Sequence, residues 1–248
     1  SGMLGIQPGF RNRLSPKTGW LIGSSEELKN LSSDLKQLDL NDLGSEGYRI
    51  SYTKVNNKST LVVAANTDIG ALYGVFDVLR MLQMEQNLSE ILPISQNPKI
   101  THRMLNHWDN LDRTVERGYA GFSIWDWHRL PDYIDPRYTD YARANASIGI
   151  NSVALTNVNA NALVLTPMYI QKVKALADLF RPYGIKVYLT ARFSAPVEIG
   201  KLPNADPLNE DVRQWWKTKA DEIYVAIPDF GEFLVKANSE GQPGPQDY

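Results

Sequence analysis

Apolar and polar positions follow two different rhythms along this chain, and the change falls near residue 100. In the first part, GWLIGS (19–24) has the short apolar run of a strand. SSEELKNLSSDLKQL (24–38) follows with helical spacing, Ser24 or Ser25 as its cap and acids in the first turn. GYRISYTKV (47–55) and STLVVAANT (59–67) predict two strands, joined through the turn-forming Asn56-Asn57-Lys58. DIGALYGVFDVLRMLQM (68–84) returns to helical spacing. The expectation for residues 18–85 is therefore β-α-β-β-α, with 86–100 and its two prolines as a linker.

From residue 101 the order becomes strand, loop, helix, repeated. HRMLNHW (102–108), NSVALTNVN (151–159), IKVYLTARF (185–193) and EFLVKANSE (232–240) read as strands. Two of the intervening helices carry the same start and stop signals. Asp135-Pro136 opens one and Gly149 closes it; Thr166-Pro167 opens the next and Gly184 closes it. The third, NEDVRQWWKTKADEIYVAI (209–227), is apolar at Val212, Trp215, Trp216, Ala220, Ile223, Tyr224 and Ile227. Long segments, 109–134 and 194–208, lie on the strand-to-helix side.

Alternating strands and helices predict parallel βαβ units. The fold class expected is α/β: a small N-terminal α/β domain over 1–98, then a partial TIM (β/α)8 barrel over 99–248. About four βα units are present, and Tyr248 follows the fourth strand, so a truncated half barrel is expected. A doubly wound open sheet is the alternative. The absence of a G-x-G-x-x-G after any strand counts against a dinucleotide site.

Composition narrows the partners. With 26 Lys and Arg against 28 Asp and Glu, the net charge is −2, which gives no pull toward nucleic acid. The chain lacks cysteine, which excludes disulfides and thiolate metal sites. Apolar runs fall short of membrane-spanning length. Ser1-Gly2-Met3 reads as a cloning remnant with no signal-like segment after it. Six Trp and twelve Tyr are many, and their spacing does not assign all of them to a core.

In a barrel, chemistry collects at the C-terminal ends of strands. The first strand end brings Asn106, His107, Trp108, Asp109 and Asn110; the second Asn157, Val158 and Asn159; the third Thr190 and Arg192. The fourth brings Lys236, Asn238 and Glu240 to one face, with Lys236 and Glu240 about 13 Å apart at ~3.3 Å per residue. That suits the two ends of one small ligand better than a direct ion pair. Glu240 reads as a general acid or as a solvated residue before a turn. Lys236 reads as an anion-binding cation, a Schiff-base amine or a snorkelling surface lysine. Trp108 is a sugar-stacking platform or a core residue. Asp109 and Asp112 read as loop caps or as hydrogen-bond partners of a polyol, with the cap favoured; Glu116 and Arg117 read as a pair within the loop rather than as residues acting on substrate, and Trp125, Trp127 and His128 as a packing knot. With three His and no H-E-x-x-H, a metal site is not expected.

LNHWDNLDRTVERGYAGFSIW (105–125) and FLVKANSEGQPGPQDY (233–248) closely resemble signature regions of glycoside hydrolase family 67, the microbial α-glucuronidases. EGYRISY and DIGALYGVFDVLRMLQ resemble the N-terminal α/β domain of that family. The resemblance implies inverting, cofactor-free removal of α-1,2-linked glucuronic or 4-O-methylglucuronic acid from xylo-oligosaccharides. It implies Glu240 as general acid and Lys236 at the uronic carboxylate. It implies Trp108 and Val158 as the apolar wall beside the sugar, with Asn238 in the substrate site. The partner implied is a glucuronoxylan-derived oligosaccharide, with a homodimer as one state open to the parent; charge and hydropathy give no nucleic-acid or membrane partner, and localisation stays open between a bacterial cytoplasm and periplasm. Inversion needs a second carboxylate about 6.5–9.5 Å from the acid. The family places its candidates beyond the position matching Tyr248, so an inactive fragment of an enzyme is expected. A non-catalytic uronic-acid-binding protein is the alternative.

Overall fold

The structure is a computed structural model, and it describes Gly9, Arg13, Leu14, residues 19–157, Asn159 and residues 161–235. The chain divides into two compact units between Thr101 and His102.

In the first unit, β1 (Trp20–Ser24) runs into α1 (Ser25–Leu31) through a capping box. Ser24 Oγ accepts from Glu27 N at 3.2 Å, and the Glu27 carboxylate accepts from Ser24 N at 2.8 Å. The helix expected over 24–38 is broken at Ser32. That residue is extended, and its hydroxyl accepts from Asp34 N to cap a separate 3-10 turn, Ser33–Leu35. β2 (Tyr48–Val55) and β3 (Lys58–Ala65) form the expected hairpin. Its turn residues Asn56 and Asn57 both have positive φ, 49° and 62°, matching the strand twist. Then comes α2 (Asp68–Gln83), capped by Thr67, whose hydroxyl accepts from Gly70 N at 3.2 Å.

Residues 86–100 are not a linker. They hold α3 (Leu88–Ile91) and β4 (Ile94–Gln96), which pairs antiparallel with Tyr48–Ile50. The strand order is β1-β3-β2-β4, with β1 and β3 parallel. Central β3 is buried on both faces. Leu61 and Val63 pack with Val78 and Met81 of α2, while Val62 and Ala64 pack with Leu21, Leu28 and Leu35.

The second unit contains β5 (Met104–Asn106), α4 (Pro136–Ser147), β6 (Ser152–Ala154), α5 (Pro167–Phe180), β7 (Lys186–Thr190), α6 (Ala195–Glu198), α7 (Glu210–Ala226) and β8 (Phe233–Leu234). The four strands are parallel and stand in chain order, without a reversal. Asp135 caps α4 by accepting from Arg137 N at 3.0 Å, with Pro136 in the first turn. Thr166 precedes Pro167 as expected but does not cap: its hydroxyl donates to Leu163 O at 2.7 Å. Gly149 (φ 77°) and Gly184 (φ 70°) take the left-handed conformation beyond their helices. Val153, Leu155, Val187 and Leu189 pack with Tyr138, Val173, Phe180 and Ile223 in one core. No helix of the described residues is long and apolar enough to cross a membrane.

Candidate functional site

The strand ends of the second unit are joined by a buried polar lattice. After β5 the chain turns at once: His107 N donates to Ala154 O of β6 at 3.0 Å. Asp109 is 4% exposed, and its Oδ2 accepts from Ser123 Oγ at 2.5 Å. The same serine oxygen accepts from Trp125 N at 2.9 Å. His107 Nδ1 lies 3.5 Å from Asp109 Oδ1, and His107 Nε2 lies 2.7 Å from the Tyr141 hydroxyl. Burial, and after it the Asp109 charge, pushes the Tyr141 hydroxyl well above the ordinary tyrosine range.

Asp112 caps the loop, as expected. It accepts from Thr114 N at 2.9 Å and Thr114 Oγ1 at 2.7 Å, bonds that hold its carboxyl below the usual range. The loop closes on itself through the isolated bridges Asp109–Val115 and Thr114–Phe122. Trp125 and Trp127 are fully buried and Trp125 stacks edge-on against Tyr141 and Phe180, so the packing knot is present. His128 stands outside it, exposed. Glu116 and Arg117 pair at 3.8 Å, within the loop.

At the end of β6, Asn157 N donates to Asp109 O at 2.8 Å. Its side chain donates to Asn110 Oδ1 at 3.2 Å. At the end of β7, Thr190 Oγ1 donates to Asn157 O at 2.8 Å and meets Thr156 Oγ1 at 2.7 Å. Arg192 Nε lies 2.7 Å from Glu198 Oε1, so its charge is answered by the short helix α6 that follows it.

Of the predicted substrate-site residues, Trp108 is placed at the end of β5, 36% exposed, with its carbonyl accepting from Glu116 N at 2.8 Å. Val158, Lys236, Asn238 and Glu240 lie outside the described residues. Ser123 and Tyr141 escaped the sequence reading, because strand-end position says nothing about partners from a loop and a helix. Among the described residues, no group of three or more His, Asp or Glu stands in a metal-holding arrangement. A separate pocket of about 380 Å³ between Leu202 and α7 residues such as Trp215 and Lys219 includes none of these strand-end groups.

Parallel βα units in chain order, with polar groups gathered at the strand ends, define an α/β fold also found in solved carbohydrate-active enzymes. A GH138 enzyme targeting pectin rhamnogalacturonan II superposes with a TM-score of 0.52 at 16% identity, over 75% of this chain and 24% of that one. That likeness is one of fold. The chain itself belongs to glycosyl hydrolase family 67: residues 81–248 match the middle domain of the family and residues 1–78 its N-terminus. It is 41% identical to alpha-glucuronidase A of Emericella nidulans, over 92% of this chain and 26% of that protein. It is 38% identical to probable alpha-glucuronidase A of Aspergillus fumigatus, again over 92% of this chain and 26% of the relative. The chain thus spans about a quarter of the length of the curated relatives it matches.

Proposed function

We propose that the whole protein is an α-glucuronidase, an inverting glycoside hydrolase that frees α-1,2-linked glucuronic or 4-O-methylglucuronic acid from xylo-oligosaccharides during xylan breakdown. The observation that carries this reading is family membership over both matched regions, with relatives named alpha-glucuronidase aligned across 92% of the chain. In this reading β5 to β8 and their helices are the first βα units of an eight-fold barrel; their sequential parallel order supports it.

Each residue then has a chemical task. A uronic acid carries a carboxylate at one end and a scissile oxygen at the other. Lys236 meets the carboxylate, and Asn238 hydrogen-bonds the sugar. Glu240 protonates the leaving oxygen, while Trp108 and Val158 wall the ring with apolar surface. A second carboxylate activates water on the opposite sugar face. No cofactor takes part in this reading.

The test is incubation of the whole protein with aldouronic oligosaccharides, following released uronic acid by NMR. The product expected first is the β-anomer. Glu240→Gln is expected to lower kcat at least about 100-fold, the scale of a lost general acid. Release at the parent rate would remove Glu240 from the role.

A further inference from the structure

We infer that Asn157 is a positioning residue of the sugar site: it bolts the loop carrying Trp108 to the ends of β6 and β7. The bolting is a matter of geometry; its effect on turnover rests on the glycosidase reading above.

Asn157 is 5% exposed, and every polar atom it has is engaged. Its N–H donates to Asp109 O at 2.8 Å, the carbonyl directly after Trp108. Its Nδ2 donates to Asn110 Oδ1 at 3.2 Å and to Glu116 O at 3.4 Å. Its Oδ1 accepts from Asn159 N at 2.9 Å, and its carbonyl accepts from Thr190 Oγ1 at 2.8 Å. One residue therefore ties together the loop after β5 and its own turn through its side chain, and that loop and β7 through its backbone N–H and carbonyl.

Glu116 transmits this to Trp108. Its N–H donates to Trp108 O at 2.8 Å, while its carbonyl accepts from Asn110 Nδ2 at 2.8 Å and from Asn157. Glu116 has φ 58°, a left-handed conformation that non-glycine residues adopt only when their surroundings hold them there. The hydrogen bonds on its two peptide groups are what hold it. Asparagine fits at 157 because its amide supplies donors toward oxygen acceptors and an acceptor toward its own turn. Aspartate has the same shape and no donor, and would set a carboxylate against two oxygens.

The whole protein carrying Asn157→Asp is the test, with Asn110→Ala as a second variant that opens the same lattice from its other side. Amide exchange at Glu116 is expected to accelerate at least about tenfold while the amides of α5 keep the parent rate, since local opening differs from global unfolding. On aldouronic substrate, KM is expected to rise about tenfold with kcat within about threefold, the pattern of lost positioning at a binding wall. In a Trp108→Ala background the same substitution is expected to raise KM no further, because coupled residues are non-additive. Unchanged exchange at Glu116, or KM effects that add independently of Trp108, would overturn the inference. A parent protein that releases no uronic acid would sink the glycosidase reading instead, and the exchange measurement would then decide the bolting alone.

Discussion

His107 Nε2 and the Tyr141 hydroxyl stand 2.7 Å apart, joining the end of β5 to the middle of α4. Burial keeps that hydroxyl protonated, so it donates to the ring nitrogen in the tautomer that leaves Nε2 as acceptor. The other ring nitrogen then carries the proton and faces Asp109 at 3.5 Å. Tyr141→Phe deletes the donor and keeps the ring contacts. A loss of about 1 kcal/mol is expected in urea unfolding, the usual worth of one such bond. The pH dependence carries a sign as well. A tyrosine whose folded value is raised keeps its contribution below the unfolded value of about 10 and loses it as pH climbs above that. The variant should therefore lose less stability between about pH 10 and 11 than the parent. Parallel alkaline curves would count against the assignment.

Asp109 depends on Ser123. The serine hydroxyl donates to this 4% exposed carboxylate at 2.5 Å and accepts from Trp125 N. Ser123→Ala leaves a buried carboxylate short of a donor and a buried N–H short of an acceptor. A loss of about 2–3 kcal/mol is expected, because removing one partner costs more than the bond contributes. Chemical denaturation of parent and variant checks this; a change below about 0.5 kcal/mol would mean the pair is not a strut of the loop.

Arg181 clamps Asp229 with Nε at 2.8 Å and Nη2 at 2.7 Å, and reaches Asp178 with Nη1 at 2.6 Å. The guanidinium hydrogen bonds hold Asp229 below the usual carboxylate range. A lowered carboxylate contributes above its unfolded value of about 4 and loses that contribution as pH falls through the folded one. Both partners are substantially exposed, so solvent screening limits the effect of Arg181→Met to about 0.5–1 kcal/mol at pH 7. The gap between parent and variant should close as pH drops below about 4 in thermal unfolding scans. A gap that persists at low pH would point to lost packing instead.

Gly231 sits under Tyr188, where an added Cβ would come within 2.2 Å of the ring. Its N–H donates to Val187 O at 2.8 Å, starting the contact between β7 and β8. Gly231→Ala must push that ring or the strand aside, at about 1–3 kcal/mol for overpacking. In the proposed α-glucuronidase reading, whose Lys236 and Glu240 follow β8 in the sequence, uronic acid release is expected to fall with stability. A variant with parent melting temperature and parent turnover would show that the ring yields freely.

The elements legible in the sequence were those with local signals. Pro136 and Pro167 mark two helix starts, Gly149 and Gly184 the turns beyond them, and Asn56-Asn57 a hairpin. β4 was not legible: three residues after a proline become a strand only because Tyr48–Ile50 offers an edge. Thr166 looks like a cap in sequence, yet its hydroxyl turns back to Leu163. At the site, the strand-end positions of Trp108, Asp109 and Asn157 followed from pattern, but the bonds among them did not. Asn157 and Asn110 are 47 residues apart, and no periodicity encodes a contact at that separation.

The sequential order of β5, β6, β7 and β8 also bears on how the second unit assembles. Each strand pairs with the one made just before it, so no strand waits for a distant partner. Loop closure grows only slowly with length, and each step closes a loop of roughly similar size. As the chain leaves the ribosome, this unit can grow by accretion from one side, each new βα pair templated on the last. Of the two edges of the growing sheet, one stays with β5, and the other passes to each new strand in turn as β6, β7 and β8 emerge.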